Sequence, residues 1–424
     1  MSINFPTVKW ANGSNIYEVN VRQYTIEGTF NAFAKHLQRL KDMGVEILWL
    51  MPITPISVEK RQGSLGSYYA CSSYVEINPE FGTLADFKAL IKQVHQLGMK
   101  LIIDWVANHT GWDHHWRDEH PEWYIKDAQG NFTDLHGWKD VIDLDYSNKQ
   151  MRKEMIKAML YWIREVDIDG FRCDMAHLVP LDFWQQARKQ CDALKDLYWL
   201  GECEVEEYNK VFDATYGWEW MHITERFVQH SADLDAVKKV SDKYRQLPAG
   251  TNKLLFTSNH DENSWNGTEY EKYGYGAKAF AVFTCCWPGI PLIYSGQELP
   301  NTKRLSFFDK DFIDWENQDI ILHNFYKSLL KLRKTNKACY PVAQFEYFDV
   351  EYKDKIVAFF LTQNDVQIIA LFNFSAEGRL KFSVTDKRIK GNYRNVFSGI
   401  EHLFDATISF EMQPWEYIVY QKSK

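Results

Sequence analysis

The chain has 424 residues, 45% of them hydrophobic and 25% charged, a globular balance in a sequence too long for one ordinary core. Its formal net charge of −8 offers no basic face to a phosphate backbone, so no nucleic acid partner is expected. No stretch reaches the ~18 apolar residues of a membrane span. The first residues, Met1-Ser-Ile-Asn-Phe-Pro, lack the basic-then-apolar pattern of a signal peptide. The seven cysteines, an odd number without a CxxC pair, read as free thiols, and a cytoplasmic protein with no membrane partner is expected.

Taken in chain order, short apolar runs at residues 16–21, 45–51, 101–106, 168–173, 197–200, 211–215, 254–257 and 291–294 predict strands. Stretches with helical spacing separate them, as at 30–43 (Phe30, Phe33, Leu37, Leu40), 87–97 and 151–166. Eight such units predict an α/β fold, a (β/α)8 TIM barrel whose helical stripes are packing faces. One interval breaks the rhythm. Residues 110–148, rich in His, Trp, Asp and Gly, are too long for a strand-to-helix loop and read as a short inserted subdomain after the third strand. After a helix at 322–335 the texture changes to strand-type alternation, as in Lys355-Ile-Val-Ala-Phe-Phe-Leu. The expected domains are a barrel of 1–109 and 149–336, the insert 110–148, and a C-terminal antiparallel β-sandwich of 337–424.

Three carboxylates, Asp174, Glu202 and Asp261, close apolar runs in Asp169-Gly-Phe-Arg-Cys-Asp174, Leu197-Tyr-Trp-Leu-Gly-Glu202 and Leu254-Leu-Phe-Thr-Ser-Asn-His-Asp261. Leu101-Ile-Ile-Asp-Trp-Val-Ala-Asn-His109 is a fourth string of the same style. Such acids meet on one rim of a parallel barrel. Glycosidic bonds need a proton for the leaving oxygen, and retention adds a carboxylate nucleophile about 5–5.5 Å from the acid. Arg172, two before Asp174 on a strand, shares its face and is expected to keep it ionised, lowering its pKa. Glu202, approached by an apolar strand and near two acids, is expected to be raised and to keep a proton. His109 and His260 are candidates to hydrogen-bond sugar hydroxyls. The plain alternative for any one acid is a helix cap or a surface carboxylate, and four strings in barrel register weigh against it. Aromatics, at 16%, exceed ordinary core needs, although packing accounts for most of them.

These strings resemble the signature segments of the α-amylase family, glycoside hydrolase family 13, and the resemblance covers almost the whole chain. The segments are Asp104-Trp-Val-Ala-Asn-His109, Gly170-Phe-Arg-Cys-Asp-Met-Ala-His177, Gly201-Glu202 and Phe256-Thr-Ser-Asn-His-Asp261. The resemblance implies Asp174 as nucleophile, Glu202 as general acid/base and Asp261 as the third acid, with Arg172, His109 and His260 contacting sugar or supporting the nucleophile. Gly66-Ser-Tyr-Tyr-Ala-Cys-Ser-Ser-Tyr74 is similar to the family's loop after the second strand. It implies Tyr69 as the ring beneath the sugar, with Tyr68 a rival and a tyrosine wedged in the barrel mouth the structural alternative. Ser73 stands where Asp is common, and His177 is followed by Leu178 where many members have a Lys-His pair, so leaving-side contacts are not carried over.

The activity implied is retaining hydrolysis of α-1,4-glucosidic bonds in starch, glycogen or maltodextrins. A transglycosylase or exo-acting α-glucosidase is the alternative within enzymes, and a catalytically silent sugar-binding barrel the alternative outside them. No cofactor is required by these motifs. Asn108 matches a family calcium position, yet calcium takes about 6–8 oxygens and no full set is evident. The acid-rich run 140–145 reads first as loop turns. His109, His114, His115, His120 and His136 fit no zinc spacing. Trp112, Trp116, Trp123 and Trp138 are candidate sugar platforms, two or more of them expected in the insert's own core, and residues 295–304 could add donors. The sequence leaves the oligomeric state open.

Overall fold

In a computed structural model describing residues 5–248, 250–316 and 319–423, the first ten strands alternate with helices. They are β1 (Ile16–Val19), β2 (Ile47–Leu50), β3 (Lys100–Trp105), β4 (His109–Gly111), β5 (Val141–Asp143), β6 (Gly170–Cys173), β7 (Tyr198–Gly201), β8 (Ala214–Tyr216), β9 (Lys253–Leu255) and β10 (Ile290–Tyr294). Eight of them close a parallel barrel in the order β1-β10-β9-β8-β7-β6-β3-β2. β4 and β5 pair with each other, antiparallel, in the insert.

Period-two alternation builds this barrel. Ile16, Ile47, Trp49, Ile102, Leu200, Tyr216, Leu254 and Leu292 fill its interior, while their strand neighbours Tyr17, Leu48, Ile103, Trp199, Leu255 and Ile293 pack outward under the helices. The expected strand at 211–215 begins only at Ala214. The Val211 carbonyl is taken by the buried Arg188 guanidinium, and the Phe212 ring lies where a side chain at Gly201 would stand. The stretch 30–43 is two helices, Phe30–Ala34 and Leu37–Met43, because the chain turns at His36, whose ring docks on Tyr24 and Trp315. In the insert, Trp116 and Trp123 are buried and meet edge to face at 5.1 Å, forming its small core.

The C-terminal strands are β11 (Gln344–Tyr347), β12 (Ile356–Gln363), β13 (Val366–Asn373), β14 (Leu380–Thr385), β15 (Gly391–Asn395), β16 (Glu401–Phe404), β17 (Thr407–Met412) and β18 (Tyr417–Lys422). Six form an antiparallel sheet, β11-β12-β13-β18-β15-β16, and β14 pairs with β17. Both faces of β12 are buried. Ile356, Ala358 and Phe360 join Phe382, Phe410 and Met412 inside this domain, and Val357, Phe359 and Leu361 join the barrel's outer core. Phe359 and Phe372 reach Phe283 of the barrel helix Ala277–Cys286 at 6.1 and 5.2 Å, and Phe345 reaches Trp287 at 4.3 Å. This aromatic contact explains why β12 and β13 read as near-continuous apolar runs.

At the opposite end of the barrel from the acids, Asp169 is fully buried. It accepts from Lys100 (2.9 Å), His95 (2.7 Å) and the Leu101 N–H (3.0 Å), with Lys195 at 3.0 Å. Burial alone would raise this carboxyl; His95, Lys195 and the other partners outweigh it and hold the group at about 2. A folded pKa below the unfolded value gives stability that is present above about pH 4 and lost as pH falls toward the folded pKa. Urea unfolding should therefore show Asp169→Asn less stable than the parent by roughly 2 kcal/mol at neutral pH, with the difference vanishing near pH 2.

Candidate active site

Moving up β1, β3, β6 and β7 toward their C-terminal ends, the inward-facing positions become charged. Ile16 gives way to Glu18, Ile102 to Asp104, Leu200 to Glu202, and Gly170 to Arg172 and Asp174. The β3–β6 register places Asp104 directly beside Arg172, whose side chain is fully buried. Its Nη1 donates to Asp104 Oδ1 (2.9 Å) and Asp174 Oδ1 (2.8 Å), its Nε to Tyr216 Oη (3.1 Å), and its Nη2 lies 2.8 Å from Glu202 Oε2. One guanidinium thus gathers three carboxylates from three adjacent strands.

The turn after β6 contributes a second restraint. Met175 adopts a left-handed backbone (φ 39°, ψ 46°), uncommon for a residue with a side chain, and its N–H donates to Glu202 Oε2 at 2.9 Å. On the other side of the barrel mouth His260 Nδ1 lies 2.5 Å from Glu18 Oε1. Its Nε2 lies 2.7 Å from the Tyr69 hydroxyl and 3.3 Å from Asp261 Oδ2. Tyr69 donates to Asp104 Oδ2 at 3.2 Å and stacks on His260 and Phe307.

Burial sets the proton affinities first, and charges then adjust them. Asp174 is raised by burial, with Arg172 opposing and Asp261 adding to the rise. Arg172 pulls this carboxyl down as expected, but the expectation of a net lowered pKa is corrected, because desolvation outweighs a guanidinium shared among three acids. Glu202 is also raised, by burial and then by Asp174 against the pull of Arg172. Burial raises Asp261, and His260 opposes it. Asp104 is raised to about 7, by burial against Arg172. Burial lowers the two imidazoles, and their neighbours then part them: His109 falls to about 4 despite Asp143, while Asp261 and Glu18 lift His260 to about 9.

Above these groups opens a cavity of about 360 Å³ lined by Tyr69, His109, Asp174, Glu202 and Asp261. Arg172 and His260 lie beneath it. Tyr68, the rival tyrosine, is buried under Arg22 instead. Of the insert's four tryptophans only Trp138 lines the cavity, 5.3 Å from His109, and Trp112 lies under Lys60. The opposite wall was not anticipated. It is built by Trp265, which is 52% exposed, with Phe307 and Phe308 at 5.3 and 5.7 Å from it. The pair Phe307-Phe308 stands just past the 295–304 stretch, in which Ser295 and Gln297 turn inward and bond the barrel. Asp104 and Glu18 were also missed as site residues; their signal was a carboxylate at an inward position of a strand. Asp140 lines the same cavity, and its Oδ2 is buried without a hydrogen-bond partner among the described residues.

The surroundings of Asn108 do not fit a calcium cage. Its amide donates to Asp143 Oδ1 (3.2 Å) and faces His109 Nδ1 (3.3 Å), and Asp143 Oδ2 accepts from the Leu135 N–H (2.9 Å). That carboxylate is engaged by N–H donors where a cation would need about 6–8 oxygens. Among the described residues no three His, Cys, Asp or Glu side chains converge as a metal site, the insert's histidines included.

Comparison with known proteins places this geometry. Residues 8–318 match the family described as alpha amylase, catalytic domain. An alpha-amylase from Lactobacillus plantarum is 32% identical, with 97% of this chain and 99% of that one aligned and a TM-score of 0.86. A noncanonic maltogenic alpha-amylase, AmyB, from Thermotoga neapolitana is 29% identical over 97% of this chain and 98% of that one, at a TM-score of 0.89. Alpha-amylase MalA of Haloarcula japonica is 28% identical over 392 residues, and the match spans 87% of this chain and 56% of that longer protein. By sequence segments, barrel and site together, the chain belongs to the alpha-amylase family.

Proposed function

We propose that the chain is a retaining glycoside hydrolase acting on α-1,4-linked glucan, with Asp174 as nucleophile and Glu202 as general acid/base. The observation that carries this reading is the Arg172 guanidinium, fully buried and within 2.8 Å of both carboxyls. Retention calls for two carboxyls about 5–5.5 Å apart, and two acids at the ends of adjacent strands, both held by one guanidinium, suit that requirement. Burial raises both carboxyls against the pull of Arg172, and the family segments in which they stand support the roles given to them. Asp174 takes a direct hydrogen bond from Arg172, and attacks as an anion. Glu202, raised by burial and by Asp174 against the pulls of Arg172 and the Met175 N–H, is the group that gives its proton to the leaving oxygen.

In the first half-reaction Asp174 attacks the anomeric carbon from one face as Glu202 gives its proton to the departing glycosidic oxygen. In the second, Glu202 takes a proton from water, which displaces Asp174. Asp261, at the cavity and paired with His260, accepts ring hydroxyls, while Tyr69 offers its ring face beneath the sugar. His109, neutral at working pH, hydrogen-bonds a sugar hydroxyl beside Trp138. Names of relatives that act as amylases support the α-1,4-glucan assignment. All seven cysteines are free, buried thiols, which supports a reducing, cytoplasmic setting.

Glu202→Gln and Asp174→Asn should each lower kcat on maltoheptaose by at least about 10²–10⁴-fold, and the parent's first product should carry the α-anomeric configuration by NMR. Activity surviving in Glu202→Gln would refute the assigned acid. Pretreatment with a chelator should leave the rate unchanged, as the amide-engaged Asp143 implies; a loss restored by calcium would contradict this. Trp265→Ala should raise KM for maltoheptaose about tenfold while leaving kcat within about twofold, since a wall ring contributes uniform binding.

A further inference from the structure

We propose that Glu18, on β1, is a positioning residue of this site: it fixes His260 as a doubly protonated donor that holds the Tyr69 hydroxyl in place and presents a positive charge to Asp261. Hydrogen-bond accounting around the ring leads to this. Glu18 is fully buried and its Oε1 lies 2.5 Å from His260 Nδ1; burial raises its carboxyl, His260 opposes the rise, and as the carboxylate it accepts from that nitrogen. The other nitrogen faces Asp261 Oδ2, an acceptor, at 3.3 Å and Tyr69 Oη at 2.7 Å. Because Tyr69 donates its own hydrogen to Asp104, its oxygen is left as an acceptor toward Nε2. With these directions both ring nitrogens carry protons, and the charged ring is the state that Asp261 and Glu18 favour, lifting it to about 9.

The carboxyl of Glu18 has no other task. Its Oε2 is buried without a hydrogen-bond partner among the described residues, and the Ser295 contacts to Glu18 use its backbone carbonyl. Besides Glu18, the charged groups facing His260 are Asp104 on β3, Arg172 and Asp174 at β6, Glu202 at β7, and its own neighbour Asp261. Arg172 opposes the positive ring, and its charge is largely spent on three of those carboxylates. Trp49 on β2 adds an apolar edge at 5.8 Å, which favours neither nitrogen. Glu18 is thus the one carboxylate dedicated to the ring.

The chain from Glu18 through His260 to Tyr69 and Asp104 ends on Arg172, so loss of the Glu18 charge reaches both catalytic acids without Glu18 touching substrate. The test uses the full-length protein with Glu18→Gln and Glu18→Asp. Nitrogen-15 NMR of the His260 ring should show both nitrogens protonated in the parent at about pH 7.5, and titration about 1–3 units lower in Glu18→Gln. The kcat/KM ratio of Glu18→Gln to parent on maltoheptaose should fall about tenfold between about pH 6 and pH 8, and the ratio for Glu18→Asp should stay flat. A neutral His260 ring in the parent at that pH, or a pH-independent ratio in Glu18→Gln, overturns the proposal. Its kinetic arm rests on the hydrolase reading. If the parent fails to cleave maltoheptaose, that reading falls and the ring titration alone decides the role of Glu18. If Glu18→Gln fails to fold, the parent titration still decides it.

Discussion

The site depends on one buried charge. Arg172 sits inside the barrel with no exposure and is matched by Asp104, Asp174 and Glu202 on β3, β6 and β7. A lone guanidinium there would be prohibitively desolvated, and three lone carboxyls would be protonated or pushed apart. Each makes the others tolerable. Removing the arginine would leave uncompensated buried acids, a change that costs on the order of 3–5 kcal/mol in comparable buried pairs. Stability and chemistry are therefore the same arrangement at this end of the barrel.

Geometry brings the groups together because strand alternation is strict. Inward positions lower in the barrel, such as Ile16, Ile102 and Leu200, are apolar and pack. Two residues further on, the same face reaches the cavity with Glu18, Asp104 and Glu202. The apolar layer excludes water from below, which raises every carboxyl above it. The cations then hold them, with Arg172 between Asp174 and Glu202, His260 beside Asp261, and the Met175 turn adding its N–H to Glu202. At the far end Asp169 shows the contrasting regime, where two lysines, a histidine and a backbone N–H overcome burial and drive the carboxyl down.

Much of this was legible in the sequence. The eight barrel strands announced themselves as short apolar runs, and the three acids as polar endings to those runs. Other features were hidden for physical reasons. Period-two alternation fixes which face a residue takes, but it cannot reveal that Glu18 on β1 meets His260, just past β9 and two strands away in the barrel, 242 residues apart in the chain. The sign of the Asp174 shift was misjudged because one arginine was credited to one acid, whereas burial and sharing decide the outcome. The wall of Trp265, Phe307 and Phe308 comes from a single short helical turn and an irregular loop, neither long enough to show a period, and the aromatic residues themselves were the only signal. Within the insert, Trp116 and Trp123 went to the core and Trp138 to the cavity, a division that needs the fold.

The central claim is that, of the carboxyls gathered around Arg172, Asp174 attacks while Glu202 handles the proton. Trapping tests it most directly. Incubating Glu202→Gln with a fluorinated maltosyl fluoride, which needs no acid to leave, and mapping the adduct by peptide mass spectrometry should place one maltosyl group on the peptide bearing Asp174. An adduct on the peptide of Asp261 or Asp104, or turnover with inversion and no adduct at all, would contradict it.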